Sequence, residues 1–183
     1  MIFGLFKRRN PNAAVVDRLY LAIAAASRAQ GFYRDLGVPD TVEGRFDMLT
    51  LHVALVLRRL ATLPAPAGEL AQDLVDHTFA HFDSALRELG VSDIGVPKKM
   101  KTLASAFYGR AKAYGVALER GTGLEASLLR NVFGEAAAMP DAPARLARYV
   151  EDAERLLAGA PFQSFVDGTP PFPDLEPPGG SDR

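Results

Sequence analysis

Apolar side chains recur at three- and four-residue spacing from about residue 11 to about residue 158, and no stretch sustains the alternation of a half-buried strand. That period predicts an all-α chain, a single-domain helical bundle of about six helices. With 183 residues, 48% of them hydrophobic, the chain has enough apolar content for a core of its own. The first helix is expected from Pro11, behind Asn10, to Gln30, with Val15, Leu19, Ala22, Ile23 and Ala26 inward and Gly31 as its stop. After a turn at Gly37-Val38-Pro39-Asp40-Thr41, a second helix covers Glu43 to Thr62 and a third Gly68 to Leu89. A fourth begins at Pro97, runs through Glu119 and stops at Gly121. Shorter helices are expected over Leu124 to Ala138 and Ala144 to Ala158. The division is thus a flexible N-terminus over 1–10, a helical domain over 11–160 and a tail over 161–183. Pro161, Pro170, Pro171, Pro173, Pro177 and Pro178 predict a disordered or extended tail.

Charge and composition exclude several function classes. Lys and Arg number 21 against 22 for Asp and Glu, a net charge of −1, so no global basic field drives binding to nucleic acid and no specific DNA binding is expected. The absence of cysteine excludes disulfides, thiolate metal sites, a cysteine nucleophile and covalent haem attachment, and it fits a reducing compartment. The longest apolar run, Phe46 to Leu57, is interrupted by Asp47 and His52 and is shorter than the roughly 20 residues of a spanning helix. At the start of the chain, apolar residues precede Lys7, Arg8 and Arg9, the reverse of a secretory signal, so a cytoplasmic location is expected. Phe3, Leu5 and Phe6 beside Lys7, Arg8 and Arg9 form a candidate contact with an anionic membrane surface. The plainer account is a frayed terminus.

Two helices carry more pattern than a simple bundle requires. In the second, Phe46, Leu49, Val53, Val56, Leu57 and Leu60 form one apolar stripe, and Met48, Leu51 and Leu55 form another almost opposite. Either this helix is central, with neighbours on both sides, or one stripe stays open for an apolar client. In the fourth, Met100, Leu103, Ala104, Phe107, Ala111, Tyr114 and Leu118 make the inner face, and Lys98, Lys101, Ser105, Tyr108, Gly109 and Lys112 the outer one. Lysine is scarce, present only at 7, 98, 99, 101 and 112, yet Lys98, Lys99 and Lys101 crowd a helix N-terminus where the macrodipole opposes cations. Helix stability does not explain them. With Tyr108 and Lys112 they form a candidate face for an anionic partner, set against the plainer reading of a solvated surface.

Catalytic chemistry finds no foothold. No histidine stands near a serine in a nucleophile motif, no glycine loop cradles phosphate, and Gly121-Thr122-Gly123 has no strand before it. His77 and His81 lie one turn apart on the third helix and could chelate, but no second ligand pair of the Glu-x-x-His kind accompanies them, so neither a metal site nor a cofactor is expected.

Two blocks suggest a family. Gly44-Arg45-Phe46-Asp47-Met48-Leu49-Thr50-Leu51-His52-Val53, continued by Leu57-Arg58-Arg59-Leu60, resembles the first block of the ubiquinol–cytochrome c chaperone family. Leu86-Arg87-Glu88-Leu89-Gly90-Val91-Ser92-Asp93-Ile94-Gly95-Val96-Pro97-Lys98-Lys99-Met100-Lys101, followed by Ala106-Phe107-Tyr108-Gly109-Arg110 and Tyr114, resembles its second, which is long and specific. With Phe32-Tyr33 upstream, the resemblance covers roughly Leu19 to Phe165.

The resemblance implies a non-enzymatic assembly chaperone that binds newly made cytochrome b during biogenesis of the ubiquinol–cytochrome c reductase, or bc1, complex of the respiratory chain. It also implies a small helical partner protein and a ribosome contact, known from mitochondrial members. The expected location is peripheral to the cytoplasmic face of the inner membrane. On this reading Met48, Leu51 and Leu55, with Phe107 and Tyr114, are the candidate client-binding wall. Two other functions stay open: a helical-bundle metal or haem protein using His77 and His81, and a peripheral membrane adaptor without client specificity.

Overall fold

The computed structural model describes residues 12–134, 137 and 139–175. Among them are eight helices and no strand: α1 (Ala13–Ser27), α2 (Gln30–Arg34), α3 (Val42–Thr62), α4 (Ala67–Glu88), α5 (Val96–Arg120), α6 (Leu124–Val132), α7 (Ala142–Gly159) and α8 (Phe162–Val166). The all-α reading stands, and the four long helices from α3 to α7 begin and end within a few residues of where their glycines and prolines place them.

The centre of the bundle is α3, which packs against α1, α4, α5, α6 and α7. Its start is set locally: the Thr41 hydroxyl accepts a hydrogen bond from the Gly44 amide at 3.1 Å. A Cβ on Gly44 would lie 1.9 Å from the Pro39 carbonyl oxygen, so only glycine lets the preceding turn fold back here. From Asp47 to Val56 every residue is buried. Of the two readings of this helix the central one holds, and the candidate client wall is corrected: Met48, Leu51 and Leu55 are each 0% exposed and belong to the core, because helices cover both sides of α3. Phe107 and Tyr114, on the inner face of α5, are buried against it as well.

Burial of α3 also fixes its histidine. His52 Nδ1 lies 2.8 Å from the Met48 carbonyl oxygen and must donate to it, which leaves Nε2 to accept from the Tyr149 hydroxyl at 2.8 Å. Burial pushes its pKa down to about 4, so the ring is neutral. With both nitrogens engaged, His52 is a structural residue of the α3–α7 contact.

Three boundaries differ from expectation. The first helix breaks after Ser27, and Gly31 lies inside a separate short helix, α2, whose Phe32 is buried. The Tyr33 hydroxyl bridges the break by donating to the Ser27 carbonyl at 3.0 Å. Next, α6 stops at Val132, where Gly134 takes a left-handed φ of 63°. Finally, the proline-rich tail has no regular secondary structure over 169–175 but is preceded by α8, whose Phe165 is fully buried. Arg18 of α1 donates to the Val166 carbonyl at 3.2 Å, and the Phe172 ring sits 5.1 Å from that of His52. This part of the tail completes the core that α1 and α3 leave open.

Candidate functional site

On α5 the two faces separate as their spacing predicts. Phe107 and Tyr114 are buried, while Lys98, Lys101, Ser105, Tyr108, Gly109 and Lys112 are all exposed. The helix starts at Gly95 without a side-chain cap, and its first turn holds no acidic residue. Among the described residues no carboxylate pairs with Lys98, Lys99 or Lys101. The lysines thus face solvent at the positive end of a helix dipole, unneutralised.

The loop that delivers the chain into α5 adds apolar surface. Ile94 is 93% exposed and Leu89 60% exposed, while Val96 is buried and pins the loop end. The loop is braced on α4: Arg87 pairs with Asp83 at 2.6 Å and also with Asp93. A braced loop that presents an isoleucine to water has given up the burial worth about 1.5–3 kcal/mol that such a side chain gains inside a core.

Beside the lysines runs an aromatic ladder across three helices. Tyr108 of α5, 55% exposed, stacks on Phe79 of α4 at 5.9 Å. Phe79 meets Phe82 at 5.7 Å, and Phe82 meets Phe46 of α3 at 5.2 Å. The Arg110 guanidinium lies 5.4 Å over the Phe46 ring. Phe79 and Phe46 are half-buried, so the ladder forms a shallow apolar ledge between the basic face and the bundle. Spacing assigns Phe46 to an apolar stripe but does not reveal the ledge, which exists only where three helices meet.

Under the ledge is a polar cluster that the sequence did not announce. Asp47 of α3 pairs with Arg110 of α5 at 2.9 Å, although Asp47 Oδ1, Arg110 Nε, Thr50 Oγ1 and the Tyr114 hydroxyl have no aligned hydrogen-bond partner. Burial raises the pKa of Asp47 to about 7; Arg110 opposes the rise and Glu43 adds to it. Burial together with the Asp47 charge also raises Tyr114. The pair links α5 to α3 beneath the ledge while leaving these polar atoms unspent.

The other candidate residues fall elsewhere. His77 and His81 meet on the outside of α4, their Nε2 atoms 3.0 Å apart and facing α1. Both nitrogens point to one spot instead of standing on opposite sides of a slot, so they cannot be the two axial ligands of one haem, which stand about 4 Å apart across the iron. Phe3, Leu5, Phe6, Lys7, Arg8 and Arg9 lie outside the described residues. No described helix is long and apolar enough to cross a membrane.

The described residues thus form an all-helical bundle with a basic, aromatic-edged face and a presented isoleucine. The ubiquinol–cytochrome C chaperone family matches residues 34–172, and the chain belongs to that family. This places it among chaperones of ubiquinol–cytochrome c reductase assembly. The crystal structure of a Cbp3 homologue from Brucella abortus is similar over 96% of this chain and 98% of that one, with 40% identity and a TM-score of 0.81. No curated protein matches the chain. Both family blocks read from the sequence lie within the matched region, and the lysines, Ile94 and the ledge all fall inside it.

Proposed function

We propose that this chain is a non-enzymatic chaperone that holds newly made cytochrome b while the bc1 complex is assembled, at the cytoplasmic face of the inner membrane. The client meets the ledge of Tyr108, Phe79 and Phe46 and the loop of Leu89 and Ile94. Lys98, Lys99, Lys101 and Lys112 meet its anionic segments or the headgroups around it. The observation that carries this reading is Ile94: a fully presented branched side chain on a salt-bridged loop, next to lysines that no carboxylate neutralises among the described residues. A membrane-protein client offers apolar helices for the ledge and Ile94, and the anionic headgroups around it suit the lysines. A small helical partner and a ribosome contact are further occupants that the same basic face would suit. Compared with Met48, Leu51 and Leu55, this surface requires no opening of the core.

The test is affinity capture of the full chain from cells that make a bc1 complex, with cytochrome b read by immunodetection. Ile94→Asp is expected to abolish capture while leaving helix content and melting temperature unchanged, since the side chain contributes almost nothing to the core. Undiminished capture by Ile94→Asp and by Tyr108→Ala would remove this face from consideration.

A further inference from the structure

We propose that Asp17 of α1 and His77 and His81 of α4 form a binding site for a divalent transition-metal ion, which clasps the two helices together. The site is separate from the α5 face and does not depend on the chaperone reading.

Four-residue spacing puts His77 and His81 on one face of α4. The rings turn toward each other, so that their Nε2 atoms stand 3.0 Å apart. Asp17 Oδ1 approaches His77 Nε2 to 3.7 Å from the neighbouring helix, and all three ligand atoms lie within 4.8 Å of one another. An ion bound at about 2.0–2.1 Å to each of two imidazoles holds their nitrogens about 2.8–3.4 Å apart, depending on whether the angle is octahedral or tetrahedral. The two histidines already have that separation. The carboxylate completes the set after a small side-chain rotation.

The rings are held in this arrangement. Tyr20, buried on α1, stacks on His81 with centroids 4.3 Å apart and 12° between planes, and it meets His77 edge-on at 5.0 Å. Burial and the adjoining His81 lower the pKa of His77 against the pull of Asp17. Two imidazole nitrogens and one carboxylate oxygen make a borderline donor set. They suit Zn²⁺, Cu²⁺ or Ni²⁺ and disfavour Mg²⁺ and Ca²⁺, which prefer all-oxygen shells. The His77 side chain is only 25% exposed and Asp17 is 57% exposed, so the cluster opens to water on one side, where solvent fills the remaining positions. The pattern hid in the sequence because Asp17 is 60 residues from His77; only the packing of α1 on α4 supplies a third ligand.

The test is titration of the untagged, chelator-stripped full chain with zinc chloride, followed by calorimetry and by nuclear magnetic resonance of the imidazoles. One zinc per chain with micromolar affinity is expected. The signals of His77 and His81 should shift and those of His52 should not. His77→Asn and His81→Asn should each weaken binding by about tenfold or more, Asp17→Asn by less, and excess magnesium should not compete. Zinc should raise the melting temperature of the wild type and leave that of the double His77→Asn/His81→Asn chain unchanged. The site is refuted if the double variant binds zinc as tightly as the wild type, or if the wild type responds only to millimolar zinc.

Discussion

Both α3 and α5 carry long apolar stripes, yet they take opposite places in the molecule. Five helices surround α3, and it is dry from Asp47 to Val56. The neighbours of α5 cover one side only, and the other side is lysine, tyrosine and glycine. The difference teaches where a bundle chaperone can keep apolar surface available. A second stripe on a helix costs too much to leave wet and is taken into the core. A loop at a helix start, braced by Arg87 through Asp83 and Asp93, can present one isoleucine without exposing the interior.

The largest expected effect tests the buried half of this contrast. Leu51→Asp places an unpaired carboxylate at a position with no exposure, which costs several kcal/mol in a domain whose total stability is on the order of 5–15 kcal/mol. The variant should lose most of its helical circular dichroism or melt far below the wild type. A folded Leu51→Asp chain of normal stability would mean that α3 has an open side, and the client wall would return to Met48, Leu51 and Leu55.

An intermediate effect concerns the titrating groups of α3. The folded pKa of His52, about 4, lies below the ordinary value of 6.5. Between these values the unfolded chain takes up a proton that the native chain refuses, so this group makes stability fall as pH drops from about 6.5 to 4. Asp47 acts in the opposite sense. Its folded pKa of about 7 lies above 3.8, the native chain holds the proton, and its share of stability is lost as pH rises from about 4 to 7. In the wild type the two slopes partly cancel. His52→Gln should leave a stability that falls with rising pH across this window, and Asp47→Asn one that rises with pH. Urea melts at four or five pH values measure both slopes. Parallel profiles in the two variants would show that these groups are not buried as described.

How far these features were legible follows from the range of the interactions. The ends of α5 could be read because Pro97 and Gly121 act within one turn, and the lysine cluster because lysine is rare elsewhere. The break after Ser27 was not legible, since Arg28 and Ala29 are ordinary helix residues and the chain turns there to bury Phe32 against His52 and Tyr149. Prolines concealed α8, because Phe165 gains a helical turn only by docking on the bundle. Burial of both α3 stripes was one of two readings, and spacing alone could not choose between them. The ledge and the Asp47–Arg110 pair join residues 29 to 63 positions apart across helices, beyond any local pattern.

The smallest effect on stability is the one most specific to the exposed half. Lys98 and Lys99 stand in the first turn of α5 and Lys101 just beyond it, with no acidic neighbour in that turn. Each cation near a helix N-terminus costs a few tenths of a kcal/mol, an effect that fades after the first turn, and Lys98 and Lys101 also repel each other at i,i+3 spacing. Replacing all three by glutamine should therefore leave the fold intact and raise the melting temperature slightly, by about 1–3 °C for a domain of this size. If the lysines meet an anionic surface, the same variant should bind its client or anionic vesicles more weakly and with a flatter dependence on salt, because exposed charges are screened over about 10 Å at 0.1 M ionic strength. The two readouts move in opposite directions, firmer fold and weaker association, which a structural role for the lysines cannot produce. A variant that loses stability would assign them to holding the loop of Ile94, and one that gains stability without losing association would leave the exposed face to Ile94 and the ledge alone.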